Sequence, residues 1–413
     1  MSITTLTDSD YDPIFKRNYD KLQDNLYNSF DNVYSRLPKK FKMGGSEDRS
    51  PVEVTFGGGV GSSTDGTLPR ANNTGYLNPS YTAKRVYGRI EIDCYTIEAS
   101  RSSEFAFVSA IDQETTGKMK SFNRNLARIL FNDGTGILGQ FSGSAGGTAA
   151  APTMTILTTG NYGRRHACFE KGDFVNINSL SSVFEITAYN RSNGLLTLAR
   201  KSGSDDLTGI GAGTHSIYMQ NSKDADPYGL LGIHVNSTHY GVAEEFRWAP
   251  TETDASGAPL DTDMLTETIE KLTIETDESP SDIVMSPLQY RKYIALLEDQ
   301  KRYPVPVEMK PRPNKMTSPD LIARVSFGGI QYVGSQGNIN VMQNKFVRDD
   351  MVFILNLNKI VVDHMKKPGW EQKHGVMFGR MEEKDAYEAR LKMYGEIKIN
   401  PFHVALVHGL SVA

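Results

Sequence analysis

Residues 44–85 read GGSEDRSPVEVTFGGGVGSSTDGTLPRANNTGYLNPSYTAKR, a run so rich in Gly, Ser, Thr, Asn and Pro that it cannot supply a hydrophobic core of its own. A stretch of this length without regular structure is uncommon inside a compact domain and is usually functional or disordered. Strand-like sequence flanks it. Pro51–Phe56 leads in, and 86–96 leads out with Val86, Ile90, Ile92 and Cys94 on one face and Arg89, Glu91 and Asp93 on the other. The simplest shape is a long two-stranded hairpin with a loose tip. Such a hairpin is marginal alone and needs a neighbouring surface, which the adjacent sequence does not offer.

The sequence on either side is more regular. Over 11–37, Phe15, Tyr19, Leu22, Leu26, Phe30, Val33 and Leu37 recur at helical spacing, predicting an amphipathic helix that Pro38 stops ahead of Lys39-Lys40. Over 104–131, Phe105, Val108, Ile111, Met119, Phe122, Leu126, Ile129 and Leu130 fall on one side of a second helix, with Gly117 as its weak point. Asn132-Asp133-Gly134 supplies its stop. The stretch GQFSGSAGGTAAAP at 139–152 then reads as a linker.

From 153 to 222 the pattern changes to five short runs, MTILTT, FVNINS, VFEITAY, LLTLARK and HSIYMQ, with a hairpin loop ending on Gly194. This spacing predicts a small all-β barrel or sandwich inserted into a larger domain. Beyond it come helices over 262–276 and 287–298, the second with Pro287 in its first turn and Ser286 as cap, and a strand at 282–285. After the proline-rich 304–319, further strands are expected at 321–333, 339–342, 351–363, 390–399 and 402–407. Helices and strands mixed in this way give an α+β class.

Composition narrows the function. The 413 residues suit two or three domains at about 100–200 residues each, and 38% hydrophobic with 23% charged content permits a packed core. The formal charge of -4 does not mark a dedicated nucleic-acid binder. Cys94 and Cys168 stand far apart with no CxxC, so neither a disulfide framework nor a structural zinc site is expected. The start, MSITTLTDSDYD, lacks the basic and apolar regions of a signal peptide, and no apolar run is long enough for a membrane span.

The chemical motifs are weak. Gly134 to Gly139 matches GxGxxG, but phosphate cradling needs a strand before and a helix after, and here a helix precedes. Gly57–Gly61 lacks the Lys and Ser/Thr of a phosphate loop. His364 and His374, near Asp363 and Glu371, have no metal-ligand spacing, and His403 and His408 bracket a strand on opposite faces. Asp224 and Asp226 lack the Gly and distal Glu of a calcium loop. There is no GxSxG elbow and no cysteine beside a base. The expectation is a non-enzyme with no catalytic, metal or cofactor site.

Three stretches resemble tailed-bacteriophage coat proteins of the Hong Kong 97-like fold. They are DIVMSPLQYRKY (282–293), FGGIQYVGSQGNINV leading through VRDDMVFILNLNKIVV (327–363), and YGEIKINPFHVALVHGL (394–410). The resemblance implies an N-terminal arm (1–43), an extended hairpin loop (44–92), a peripheral domain with a spine helix (93–140), an inserted β-barrel-like domain (141–222), and an axial domain with remaining peripheral strands (223–413). It implies a major capsid protein that self-assembles through pentamers and hexamers around double-stranded DNA. Its partners would be many copies of itself, portal, scaffolding and decoration proteins, and non-specific DNA, with no membrane. Its location would be the virion, after assembly in the host cytoplasm. The residues expected to carry assembly are Phe15, Leu22, Leu26, Phe30, Arg70, Tyr76, Tyr81 and Arg85. Some family members cross-link through a lysine at the loop tip; 57–80 contains none, and Lys84 lies near the base. Two other readings stay open: a cellular nanocompartment shell of the same fold, and a multidomain hydrolase with no legible motif.

Overall fold

A computed structural model of the chain describes residues 33–45, 47–95, 104–158, 160–163, 166–178, 180–211, 213–245, 247–299, 331–334, 337–371 and 377–412. Side chains over 104–113 and at 298, 299, 331, 333 and 334 are not described. The chain divides into two compact units, each built from three separate segments.

The first unit takes 80–235, 361–398 and the segment up to Ser50. Its open sheet centres on the long strand Ala386–Lys398, which pairs antiparallel with Val361–Trp370 and with Lys84–Asp93. Lys39–Lys40 adds to Val361–Trp370 in parallel. The alternation expected along 86–93 is present: Val86, Ile90 and Ile92 are buried, while Arg89 is exposed. The partner differs from the expected one. This strand leaves the hairpin and joins residues some three hundred positions later, because its apolar face is met by the equally alternating Ala389, Leu391 and Met393.

The helix Glu104–Leu130 packs on this sheet, with Phe122 and Leu391 both in van der Waals reach of Gly88. Phe122, Leu126, Ile129 and Leu130 are buried as expected, but Met119 is 45% exposed. Gly134 takes a φ of +87° just past the helix end. Gly229 comes so close to that end that a Cβ there would meet the carbonyl oxygens of Ile129, Asn132 and Leu130 at 2.3, 2.4 and 2.7 Å. A buried ion pair ties the two segments: Arg128 donates to Asp226 at 2.7 Å and to Asn125 at 2.9 Å. Asp226 is therefore a structural counter-ion rather than part of a cation loop. Glu396 is almost fully buried and accepts hydrogen bonds from the backbone N–H of Tyr228 (2.7 Å) and Ile397 (3.0 Å), and burial pushes its carboxyl up to about 8.

The five expected runs form strands Pro152–Thr155, Phe174–Ile177, Val183–Asn190, Leu195–Ser202 and Thr214–Met219. The stretch expected to be a linker does not behave as one. Ile137–Ser142 and Gly146–Gly147 are strands of the same sheet, in the order 137–142, 214–219, 174–177, 183–190, 195–202, 152–155, 146–147. A bridge between Phe141 and Ile156, with Leu157 N–H donating to the Gln140 carbonyl at 2.7 Å, joins the first strand to the sixth and closes a barrel. Close packing requires glycine at position 139, where a Cβ would lie 2.9 Å from the Phe169 ring, whereas Gly143 has open space around it.

The second unit comprises 51–79, 236–360 and the segment from Ile399. Its six-stranded mixed sheet runs 251–254, 404–408, 352–355, 282–285, 337–343, 331–334. Helices Thr262–Thr276 and Pro287–Asp299 pack on one face through Leu265, Ile269, Leu272 and Tyr293. The central strands are buried on both faces, which explains their unbroken apolar runs. Ser286 caps the second helix by accepting from Gln289 N–H at 3.3 Å, as expected.

Two further expectations are corrected. The strand expected over 351–363 is two strands, Val352–Leu355 and Val361–Trp370, belonging to different units and separated by the turn Leu357–Lys359. Leu357 N–H donates to the Ser281 hydroxyl at 3.0 Å, and the polar Asn356 and Asn358 interrupt an apolar run that sequence periodicity reads as continuous. The strand expected over 402–407 begins only at Val404, because Pro401–His403 forms a short turn. His403 therefore lies on that turn, and burial pulls it down to about 4. Of the helix expected over 11–37, residues 11–32 lie outside the described residues, and Tyr34–Arg36 is a single tight turn. The proline-rich 304–319 also lies outside them.

Candidate assembly surfaces

The hairpin is real and shorter than expected. Val52–Thr55 pairs with Gly75–Leu77, and Asp48–Arg49 with Ser80–Tyr81. Thr55 Oγ1 accepts from Gly75 N–H at 2.9 Å, and any Cβ at Gly75 would strike that oxygen at 2.3 Å. Every residue from Thr55 to Asn73 is exposed. Between Val52 and Leu77, Val54 is buried, whereas Phe56 (65%), Val60 (97%), Leu68 (87%) and Tyr76 (61%) face solvent. A surface that leaves several large apolar groups in water along one loop has the character of a binding site. The tip is nonetheless shaped. Asp65 accepts from the Ser63 hydroxyl (2.7 Å) and Thr67 N–H (3.1 Å), and these bonds hold its carboxyl down to about 2. The Arg247 guanidinium stacks over the Phe56 ring at 4.4 Å.

In the first unit, the base of the hairpin is clamped by charge. Lys398 Nζ bridges Asp363 (2.8 Å) and Asp48, and lies 5.0 Å from the centre of the Tyr81 ring. The other Asp363 oxygen accepts from Lys42 N–H at 3.0 Å. Burial works against the charge of Asp363, yet the Lys398 and Lys42 contacts outweigh it and leave the carboxyl below its usual range. This constellation was not visible in the sequence, since its members lie at 48, 81, 363 and 398.

The residues expected to carry assembly separate into three groups. Phe15, Leu22, Leu26 and Phe30 lie outside the described residues. Arg70 and Tyr76 are exposed on the loop and the returning strand, while Arg85 is exposed on Lys84–Asp93. Tyr81, at 2% exposure, is spent inside its own chain, and burial raises its phenol pKa.

No catalytic arrangement emerges among the described residues. Gly134 to Gly139 is preceded by a helix and runs into the barrel strand Ile137–Ser142, which begins inside it. Cys94 and Cys168 are both free, and burial followed by Asp385 raises the Cys94 thiol, away from nucleophilic use. Within either unit taken by itself, no three His, Cys, Asp or Glu side chains converge at ligand distance among the described residues. No described helix is long and apolar enough to cross a membrane.

No protein-family model and no curated protein matches the sequence. Solved structures do. A chain of the cyanophage A-1(L) capsid asymmetric unit aligns over 91% of this chain and 91% of its own, with a TM-score of 0.53 at 8% identity. The capsid of a native GTA particle aligns over 96% and 95% (TM-score 0.46, 8% identity), and a Mycobacterium phage Bobi chain over 98% of both (0.43, 11%). The chain therefore has a phage capsid fold, as the three sequence stretches implied. It is of mixed helix and sheet class.

Proposed function

We propose that this chain is the major capsid protein of a tailed bacteriophage, assembling through pentamers and hexamers into an icosahedral shell around double-stranded DNA. The observation that carries the reading is agreement of fold with a cyanophage capsid chain over 91% of both chains. The hairpin supports it: paired at its base and wholly exposed over Thr55–Asn73, it holds apolar groups whose partner is most simply another copy. Subunits that exchange such contacts head-to-tail close into rings. In this reading 1–43 is the arm, 44–92 the extended loop, 93–140 the peripheral domain with its spine helix, 141–222 the insertion, and 223–413 the axial domain with the remaining peripheral strands. Portal, scaffolding and decoration proteins are the other partners, the virion is the destination, and assembly takes place in the host cytoplasm.

Lacking a lysine over 57–80, the shell is held by non-covalent contacts rather than loop-tip cross-links. Phe15, Leu22, Leu26, Phe30, Arg70, Tyr76 and Arg85 are the residues proposed to face neighbours, and the subunit acts as a building block rather than an enzyme. Negative-stain imaging of the expressed full chain, with sedimentation velocity, tests the reading. Shells or ring-shaped capsomers are expected. A monomer at every concentration, with or without nucleic acid, overturns it.

A further inference from the structure

On the open sheet of the first unit, carboxylates and cations are unequally matched. The acids nearest these strands' cations are engaged: Asp363 and Asp48 on Lys398, Glu371 on Lys392, and Glu388 on Arg89 and Arg390, while Asp93 lies at the far end of its strand. Six cations on or beside the same sheet, Lys39, Lys40, Lys42, Arg85, Lys366 and Lys367, are left with no ion-pair partner among the described residues. A protein that is acidic overall, at -4, thus carries a local excess of unpaired positive charge.

The arrangement is continuous along the strand Val361–Trp370. Lys39 and Lys40 sit in register beside Val362 and Asp363. Lys366 pairs with Tyr394, which pairs on its other side with Arg85, so the three side chains share one face across three strands. Aromatic rings lie between the charges. Lys367 is 4.0 Å from the centre of the Phe41 ring, and that ring, 48% exposed, stacks on His364 at 5.3 Å. Lys366 is 5.9 Å from the Tyr394 ring, which meets the exposed Tyr87 edge-on at 6.0 Å. Lys39 lies 5.6 Å from the Tyr34 ring. Burial, and then the charges of Lys39 and Lys367, hold His364 below the ordinary imidazole value, so it adds no charge near neutrality.

Exposed ammonium groups without local carboxylates, interleaved with exposed rings, are the chemistry that recognises a phosphodiester backbone. We infer that this exposed edge of the sheet, where the adjacent Lys366 and Lys367 put a cation on either side of the strand and Phe41 lies against Lys367, is where the chain contacts nucleic acid, binding the DNA backbone without regard to sequence. The inference deepens the shell reading and rests on it for the source of the DNA. Each face is weak alone and gains by repetition over many copies.

Fluorescence anisotropy of a labelled mixed-sequence duplex against the dispersed full-length chain, over a salt series, is the test. The variants are Lys366→Glu/Lys367→Glu, and a control of equal charge change elsewhere, Lys171→Glu/Lys271→Glu. The wild type should bind at low salt with a steep log–log salt dependence. The patch variant should lose at least about tenfold in affinity and lower the slope by about 2, one unit per lysine. The control should keep the wild-type slope. No duplex retention by the wild type at low salt, or an unchanged slope in the patch variant, overturns the inference. So does a variant that binds DNA normally but fails to assemble, which would assign the face to an acidic segment of a second copy. Imaging separates this from the shell reading. Shells formed by a chain whose DNA binding ignores the patch sink the inference alone. Patch-dependent binding by a chain that never forms shells sinks only the proposed function.

Discussion

The barrel of 137–219 and the hairpin of 52–77 are both glycine-rich β structure, and they solve opposite problems. In the barrel every strand but the two-residue Gly146–Gly147 finds a partner on both sides, and Leu138, Phe141, Val175, Phe184, Ile186, Leu196, Leu198 and Ile217 are at most 1% exposed. Closure removes the free edges that would otherwise invite pairing with other chains. In the hairpin, two short strands carry a loop of which nothing is buried from Thr55 to Asn73. One region has spent its apolar surface on itself. The other has reserved it. On the proposed shell reading, a subunit that folds before it assembles would need both kinds, and glycine serves each differently: close packing at Gly139 against Phe169, freedom at Gly66, whose φ is +80° with open space around it.

If the barrel is self-sufficient, its boundaries are sharp. A fragment spanning 136–221 should fold alone, with β-type circular dichroism and one cooperative thermal transition. A fragment of 153–222, which omits Ile137–Ser142, should be unfolded, because it lacks the strand that closes the sheet and leaves one edge of Thr214–Met219 and the bridge at Ile156 unpaired. A folded 153–222 fragment would break the contrast, since the barrel would then not depend on closure. The hairpin should behave in the reverse way. Replacing 57–73 by Asn-Gly should leave the melting temperature of the subunit within about 2 °C, a shift below roughly 0.5 kcal/mol, while abolishing assembly in sedimentation velocity. A large fall in melting temperature would show that the loop is part of a core.

The difference also governs what could be read from sequence. Strand alternation was legible wherever one face meets a core, as at Val86, Ile90 and Ile92, and so were helix stops at Gly134 and the Ser286 cap. Partners were not. Nothing in 84–93 points to 386–395 rather than to the hairpin, because alternation fixes which face is buried and says nothing of what covers it. The stretch 139–152 misled for a related reason: composition cannot distinguish a glycine that is free from one that has no room for a Cβ, such as Gly147, where a Cβ would lie 2.5 Å from the Ala151 carbonyl. The clamp of Lys398, Asp48 and Asp363 and the unpaired cations around Lys366 exist only through long-range register, so only the three-dimensional structure collects them.

At the level of single side chains, Phe184→Ala should destabilise the subunit by about 3–5 kcal/mol, the usual cost of emptying a well-packed core site. Leu68→Ala, which removes a side chain 87% exposed in the monomer, should change monomer stability by less than about 0.5 kcal/mol and show its effect only in assembly. Chemical denaturation of the dispersed subunit measures both. Equal costs would mean that the loop is packed in solution.

The smallest expected effect concerns two aspartates. Asp173, in the barrel, is pushed above the usual carboxylate value by burial, and the nearby Arg124 guanidinium, 3.6 Å away, offsets only part of this. Asp65, at the hairpin tip, is held down to about 2 by hydrogen bonds from Ser63 and Thr67. Their linkage to stability therefore has opposite sign. Asp173 binds its proton more tightly folded than unfolded, so its contribution is present below the ordinary carboxylate value and is lost as pH rises through the higher folded value. Asp65 contributes above the ordinary value and loses that contribution as pH falls toward about 2. Because Asp65 is fully exposed, solvent screens its bonds, and its removal should barely change the acid limb of the stability curve. Carboxyl carbon chemical shifts followed from about pH 2 to 7, spanning the ordinary carboxylate range, should place the Asp173 midpoint above the Asp65 midpoint. Asp173→Asn should flatten the stability profile above the ordinary carboxylate value, whereas Asp65→Asn should not. Reversed midpoints would mean that the barrel interior admits water around Asp173, and the two regions would no longer differ in the way their burial requires.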